Sequence, residues 1–407
     1  MYGFGIYIYI LFVRLAALLG NRKAKKMLAG HREIFPTLQE KLKPGTDYVW
    51  FHASSLGEFE QGRPMIEKMR AEHPEYRVVL TFFSPSGYIP AKNYQQADVV
   101  CYLPFDRKHN VKRFLDLVQP KMAFFIKYEF WLNYLLELKK RSVPTYSVSS
   151  IFRKEQVFFK SWGGRYRLAL HCLTHLFVQN MESKALLKSV GVENVTVVGD
   201  TRFDRVAKIL EQARQLPLVD AFVEDGRKVF VVGSSWGNDE AVYMPFFNAH
   251  KEWKLIIASH EVNDERIASI MSQYEGTCVR YSKATMDEVH KADCLVVDCY
   301  GLLSSIYRYG TIAFVGGGFG VGIHNVLEAA VYGIPVFFGP NNRKFQEVQL
   351  LKACGGGHEV IATCDFAEKM DAFAADAVLL EKAGKAAGDL VSTNAGATAR
   401  IFRHLGL

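Results

Sequence analysis

The stretch Val315–Pro340 reads VGGGFGVGIHNVLEAAVYGIPVFFGP. An apolar run, Thr311–Val315, enters a glycine-rich turn, and a helix is expected to start near His324–Glu328. Gly333-Ile334-Pro335 then closes that helix and opens a second apolar run, Pro335–Phe338. Strand, turn, helix and strand in this order make a crossover between parallel strands. A helix opening of this kind presents free N–H groups suited to a phosphate, here Gly317 and Gly318. Glu328, one turn in, is placed to accept both hydroxyls of a ribose. Glycine-rich strand–helix turns also occur without any phosphate ligand, so the stretch alone leaves both readings open. The spacing is not GxGxxG and no acid follows at the dinucleotide distance, which argues against a nicotinamide cofactor.

The same alternation extends outward in both directions. Strand candidates before the stretch are Tyr48–His52, Arg77–Thr81, Val99–Tyr102, Met122–Ile126, Thr145–Val148 and His175–Val178. Nearer to it lie Lys228–Val232, Lys254–Ala258 and Cys294–Val297. Helix-like segments separate them, as in parallel sheets covered on both faces. The transition falls near Val206–Gly226. The domains expected are 33–205 and 206–407, two doubly wound halves with a cleft at the carboxyl ends of their strands; the last helix is free to return to the first half. A length of 407 residues agrees with such a division at roughly 150 residues per domain.

Composition narrows the function classes. Charged residues make up 23% and hydrophobic ones 49%, which excludes a disordered chain and a polytopic membrane protein. The net charge of +8 is local: Arg14, Arg22, Lys23, Lys25, Lys26 and Arg32 lie in residues 1–32, which hold no acid. The rest carries 44 basic against 42 acidic residues, which argues against nucleic acid as a partner. Seven cysteines without a CxxC pair fit buried thiols rather than zinc or disulfides. Phe4–Leu19 is apolar except for Arg14, and its basic flank follows rather than precedes it, unlike a secretory signal. Sixteen helical residues rise about 24 Å, short of a span of roughly 30 Å. Residues 1–32 are therefore expected to form a short or interfacial anchor facing an anionic membrane surface, with Arg14 snorkelling and Tyr2, Tyr7 and Tyr9 near the other interface. The alternative is an amphipathic helix packed on the body.

Three strand ends carry polar chemistry. Phe51–Pro64 (FHASSLGEFEQGRP) places Glu58 where a helix begins, as a general base or as a helix cap. Thr81–Gly87 (TFFSPSG) suits a loop presenting backbone N–H groups, and Ile126–Asn133 (IKYEFWLN) puts Glu129 just past a strand or at a capped helix start.

With these residues in view, Val315–Pro340 resembles the nucleotide-binding signature of two-domain GT-B glycosyltransferases. Together with HASSLGE, TFFSPSG, YLPFD, YEFWLN, VVGDTRFD and VVGSSW, the chain is similar to the 3-deoxy-D-manno-octulosonic acid (Kdo) transferases of lipopolysaccharide synthesis. The resemblance implies a GT-B fold of two Rossmann-like domains facing a central cleft. It implies inverting transfer of Kdo from CMP-Kdo to a lipid A precursor at the cytoplasmic face of the inner membrane, with no metal and no cofactor beyond the donor. It assigns the general base to Glu58, and transition-state or leaving-group roles to Glu129 and Arg202. It places CMP against Ser259, His260, Tyr300, Gly301, Gly317, Gly318, Asn325, Val326, Leu327 and Glu328. The chain departs from the family at Ser259, where an arginine is usual, and at Arg202, where lysine is usual. Its block containing His324-Asn325 is shorter than the usual form. The rival readings are a GT-B transferase using a UDP- or ADP-sugar, and a non-catalytic, membrane-tethered nucleotide-sugar-binding protein.

Overall fold

The computed structural model describes residues 2–320 and 322–407. The chain divides into two units, residues 1–205 with 396–407, and residues 206–395. Among the described residues each unit holds one seven-stranded sheet, all of whose pairings are parallel.

The first sheet comprises β1 (Tyr48–Ala53), β2 (Arg77–Phe82), β3 (Val99–Tyr102), β4 (Met122–Ile126), β5 (Thr145–Ser150), β6 (His175–Val178) and β7 (Val195–Val197), in the order β3-β2-β1-β4-β5-β6-β7. Successive side chains of a strand point to opposite faces. Tyr48 and Trp50 of β1 therefore join one apolar layer, with Phe125 of β4, and Val49 and Phe51 join the other, with Phe124. Both faces are covered, which is why these strands read as unbroken apolar runs. The strand order reverses between β1 and β4, and the crevice at such a reversal is where open α/β sheets bind ligands.

The second sheet comprises β8 (Lys228–Ser235), β9 (Trp253–Ser259), β10 (Cys278–Arg280), β11 (Cys294–Val297), β12 (Ile312–Val315), β13 (Val336–Phe338) and β14 (Gly357–Glu359), in the order β10-β11-β9-β8-β12-β13-β14. Its reversal lies between β8 and β12. Residues 396–407 cross back to the first unit, where Ile401 and Phe402 enter the core and Thr398 N–H donates to Asp204 at 2.6 Å.

The amino terminus forms α1 (Tyr2–Leu18) and α2 (Arg22–Lys41), bent by 117° at Leu19–Asn21. Among the described residues no single helix is long and apolar enough to cross a membrane. α1 packs on the first unit along one stripe, burying Ile10 and Ala17. Each of its three tyrosines contacts the body, while Tyr7 and Tyr9 also stay exposed. Tyr2 Oη donates to the Asp106 carboxylate at 2.5 Å, Tyr7 Oη accepts from Arg107 at 3.0 Å, and Tyr9 lies against Phe83. A buried carboxylate such as Asp106 needs a donor, and Tyr2 supplies it. The outer face stays apolar and open, with Phe4, Leu11, Phe12 and Leu15 exposed. The helix thus has the packed character of the second reading together with an uncovered apolar side.

Candidate active site

In the first unit the carboxylates expected at two strand ends meet at the β1/β4 reversal. Helix α3 (Leu56–Glu72) opens with a capping box: Glu58 Oε2 accepts from Ser55 N–H at 2.8 Å and Ser55 Oγ at 3.0 Å. Glu58 is therefore a helix cap, yet its Oε1 makes no hydrogen bond among the described residues. Burial pushes its pKa up, and the nearby Glu129 carboxylate pushes it further; Ser55, Lys127 and His52 pull the other way. Glu129 Oε2 accepts from Trp131 Nε1 at 2.7 Å and lies 3.3 Å from His52 Nε2. His52 is fully buried, its Nδ1 donating to the Thr81 carbonyl at 3.1 Å, as their pairing across β1 and β2 allows. Lys127 leaves β4 with φ of 65°, a conformation costly for a non-glycine residue and typical of functional sites. His52 and Lys127 were absent from the expected set; the only sequence signal for them was their position at the carboxyl ends of β1 and β4.

Arg202 is held differently from a free cation. Its Nε and Nη2 both donate to Asp200 Oδ2, at 2.9 and 2.7 Å, and Gln61 donates to the other oxygen at 3.0 Å. Burial raises the Asp200 pKa, but the guanidinium and these donors outweigh it and hold the group below the usual range. The backbone here is anchored by Ser149, at φ of 53° in the bulge of β5, whose Oγ accepts from Thr201 N–H at 3.2 Å. The TFFSPSG segment starts a short helix, Pro85–Ala91, with Ser84 as its cap. A Cβ at Gly87 would lie 2.4 Å from the Phe82 ring, so this glycine serves packing.

In the second unit the glycine-rich stretch differs from expectation. The helix covers only Leu327–Ala330, and several N–H groups of the loop before it are already used. Gly316 N–H donates to Gly233 O at 2.9 Å, and Gly317 N–H to Asp239 Oδ2 at 2.9 Å. A Cβ at Gly318 would come within 2.6 Å of Gly339 N, and one at Gly316 within 2.3 Å of Ser234 O. These glycines are required because the loop after β12 presses against the ends of β8 and β13, leaving Gly317 no free N–H for a phosphate.

What this loop does build is a ring cluster at the β8/β12 reversal. Trp236 stacks on His260 with centroids 4.3 Å apart, and His260 on His324 at 4.6 Å. Trp236 Nε1 donates to His324 Nε2 at 3.2 Å, so that nitrogen carries a lone pair. Burial, then the neighbouring His260, lowers the His324 pKa to about 4, in keeping with a neutral ring. Ser259, buried at the end of β9, has an Oγ with no partner among the described residues. Asn325 Nδ2 donates to Glu328 Oε1 at 2.9 Å, pairing two expected ribose contacts. Val326 and Leu327 are fully buried, so only their main chain can meet a ligand. Tyr300 is 75% exposed beside Gly301, beyond β11, outside the ring cluster. Trp236, His324 and Asp239 were missed as site residues, although VVGSSW already marked the first.

Residues 27–205 match the family described as 3-deoxy-D-manno-octulosonic-acid transferase (kdotransferase). The 3-deoxy-D-manno-octulosonic acid transferase of Aquifex aeolicus is 28% identical over 337 residues, covering 81% of this chain and 86% of that protein. The enzyme of the same name from Rickettsia prowazekii is 26% identical over 311 residues, covering 74% of this chain and 66% of that protein. Among solved structures, the UDP-GlcNAc 2-epimerase from Neisseria meningitidis bound to UDP-GlcNAc superposes with a TM-score of 0.63 over 88% of this chain and 99% of that one, at 15% identity. That likeness shows the fold, two Rossmann-like units of the GT-B class, and nothing of the ligand. With the family domain in its first unit and relatives of one name aligned over most of its length, the chain is similar to the 3-deoxy-D-manno-octulosonic acid transferases.

Proposed function

We propose that the chain transfers Kdo, with inversion, from CMP-Kdo to a tetraacylated lipid A precursor at the cytoplasmic face of the inner membrane. The observation that carries this reading is Glu58: one oxygen caps α3, the other is uncommitted, and burial beside Glu129 raises its pKa toward the working pH. A sugar hydroxyl is a poor nucleophile near neutrality. As it attacks the anomeric carbon, its proton passes to Glu58 Oε1, the bond to the CMP oxygen breaks, and CMP departs with the electron pair. Arg202, oriented by Asp200, is the cation assigned to the charge that develops. The flat faces of Trp236 and His260, the unpartnered Ser259 Oγ and the Asn325–Glu328 pair suit a pyrimidine nucleotide. The apolar outer face of α1 and the six basic residues beside it suit attachment to an anionic bilayer.

The test is CMP release from CMP-Kdo with and without the tetraacylated precursor. The reading predicts acceptor-dependent release that a chelator leaves unchanged. No release from folded protein, or release from UDP-sugars instead, would overturn the donor assignment.

A further inference from the structure

A cavity of about 680 Å³ opens between α1, α2 and the segment 104–110 that follows β3. Ile10, Leu28, Phe35 and Phe105 give it apolar walls. Its charged lining has one sign: Arg14, Lys25, Arg32 and Arg107, with no Asp or Glu among the described residues. The side chains of Arg14, Lys25 and Arg32 make no hydrogen bond or ion pair among the described residues. Arg107 spends Nη2 on Tyr7 and keeps Nε buried without a partner, and His31 Nε2, also lining the cavity, is likewise unpartnered.

An apolar trough carrying four cations is the complement of an amphiphile with an anionic head. Acyl chain suits its walls, and a phosphate suits guanidinium donors, which bind it with paired N–H groups. A chain of ring contacts links the trough to Glu129. Phe105 in its wall contacts Phe83 at 6.4 Å between centroids, Phe83 contacts Trp131 at 4.6 Å, and Trp131 donates to Glu129. A second cavity of about 480 Å³ shares α1 through Tyr2 and Ile6 and is lined by Glu129 itself.

We infer that the α1/α2 groove is the subsite for a phosphate and part of an acyl chain of the lipid acceptor. This rests on the acceptor class proposed above. α1 is then a substrate-binding element as well as a point of membrane attachment.

The test reads binding, without donor or turnover, so it stays informative if the proposed transfer fails. Full-length protein in detergent micelles is titrated with the bisphosphorylated tetraacyl glucosamine disaccharide and with its phosphatase-treated form. Arg14→Gln combined with Arg32→Gln is compared with Lys382→Gln combined with Lys385→Gln, which removes equal charge from the second unit. Arg14 and Arg32 are exposed, so both double variants should melt with wild type. The groove predicts an affinity for the phosphorylated lipid weakened about tenfold or more in the first variant only, with the dephosphorylated lipid unaffected. Unchanged binding by the first variant, or equal wild-type affinity for the two lipids, would overturn it. So would an equal loss of binding to phosphatidylglycerol vesicles, which would reduce the arginines to general membrane contacts.

Discussion

Glu58 serves two demands with one carboxylate. As an N3 cap it satisfies Ser55 N–H, and as a buried acid beside Glu129 it is costly to ionise. A raised pKa in the folded state means that this group favours folding when protonated and that the contribution is lost as pH rises through the folded value. Glu58→Gln keeps a capping side chain and removes the charge. It should therefore lower transfer by about 10²–10⁴-fold while raising the melting temperature at neutral pH, with the gain vanishing toward pH 4. Melting curves across that range check the sign. Glu129→Gln removes the second cause of the shift, so the acid limb of the kcat/KM profile should move to lower pH. An unmoved limb would mean that another group titrates there. The sequence placed both acids at strand ends but left Glu58 open between cap and base, because a capping box and a catalytic carboxylate share one spacing. The structure shows the cap, and the base role is the proposal that placement beside Glu129 and His52 supports.

Among the elements, the loop after β12 shows most clearly what sequence pattern conceals. Its glycines read as a phosphate cradle, yet Gly316 and Gly318 are needed where backbones of β8, β12 and β13 nearly touch. Gly318→Ala should destabilise the second unit by about 1–3 kcal/mol through overlap with the Gly339 backbone, and should weaken CMP binding by shifting the loop that leads to His324. Calorimetric unfolding and CMP titration report the two effects separately. The strands were largely legible, since β3, β4, β6 and β11 match their apolar runs residue for residue. The three that escaped notice, β7, β10 and β14, are each three residues long and lie at sheet edges. An edge strand of that length needs no continuous apolar run, so it carries little periodic signal.

At the scale of the whole molecule, pH stability reflects several half-buried rings. His31, His175, His324 and His358 are each lowered to about 4, burial being the first cause in every case. Bases with depressed pKa values destabilise the fold as pH falls from their unfolded value near 6.5 toward 4, because only the unfolded chain takes up their protons freely. His31 is stacked on Phe105 at 3.9 Å, and its gap corresponds to about 3 kcal/mol at the acidic end. His31→Phe should flatten the acid loss of melting temperature in that window; an unchanged slope would place the titration elsewhere. The amino terminus was legible as an apolar helix with a basic flank. Its docking was not, because Tyr2 finds Asp106 across 104 residues of sequence. Removing residues 1–20 should leave a folded body of lower melting temperature, since Asp106 loses its tyrosine donor, and should abolish sedimentation with anionic vesicles.

Acceptor-dependent CMP release by wild type and by Glu58→Gln, measured alongside CMP binding by each, decides whether Glu58 is the base. For a base, release falls at least a hundredfold in Glu58→Gln with CMP affinity unchanged. Release at the wild-type rate in Glu58→Gln would show that this carboxylate only caps its helix and that the base lies elsewhere.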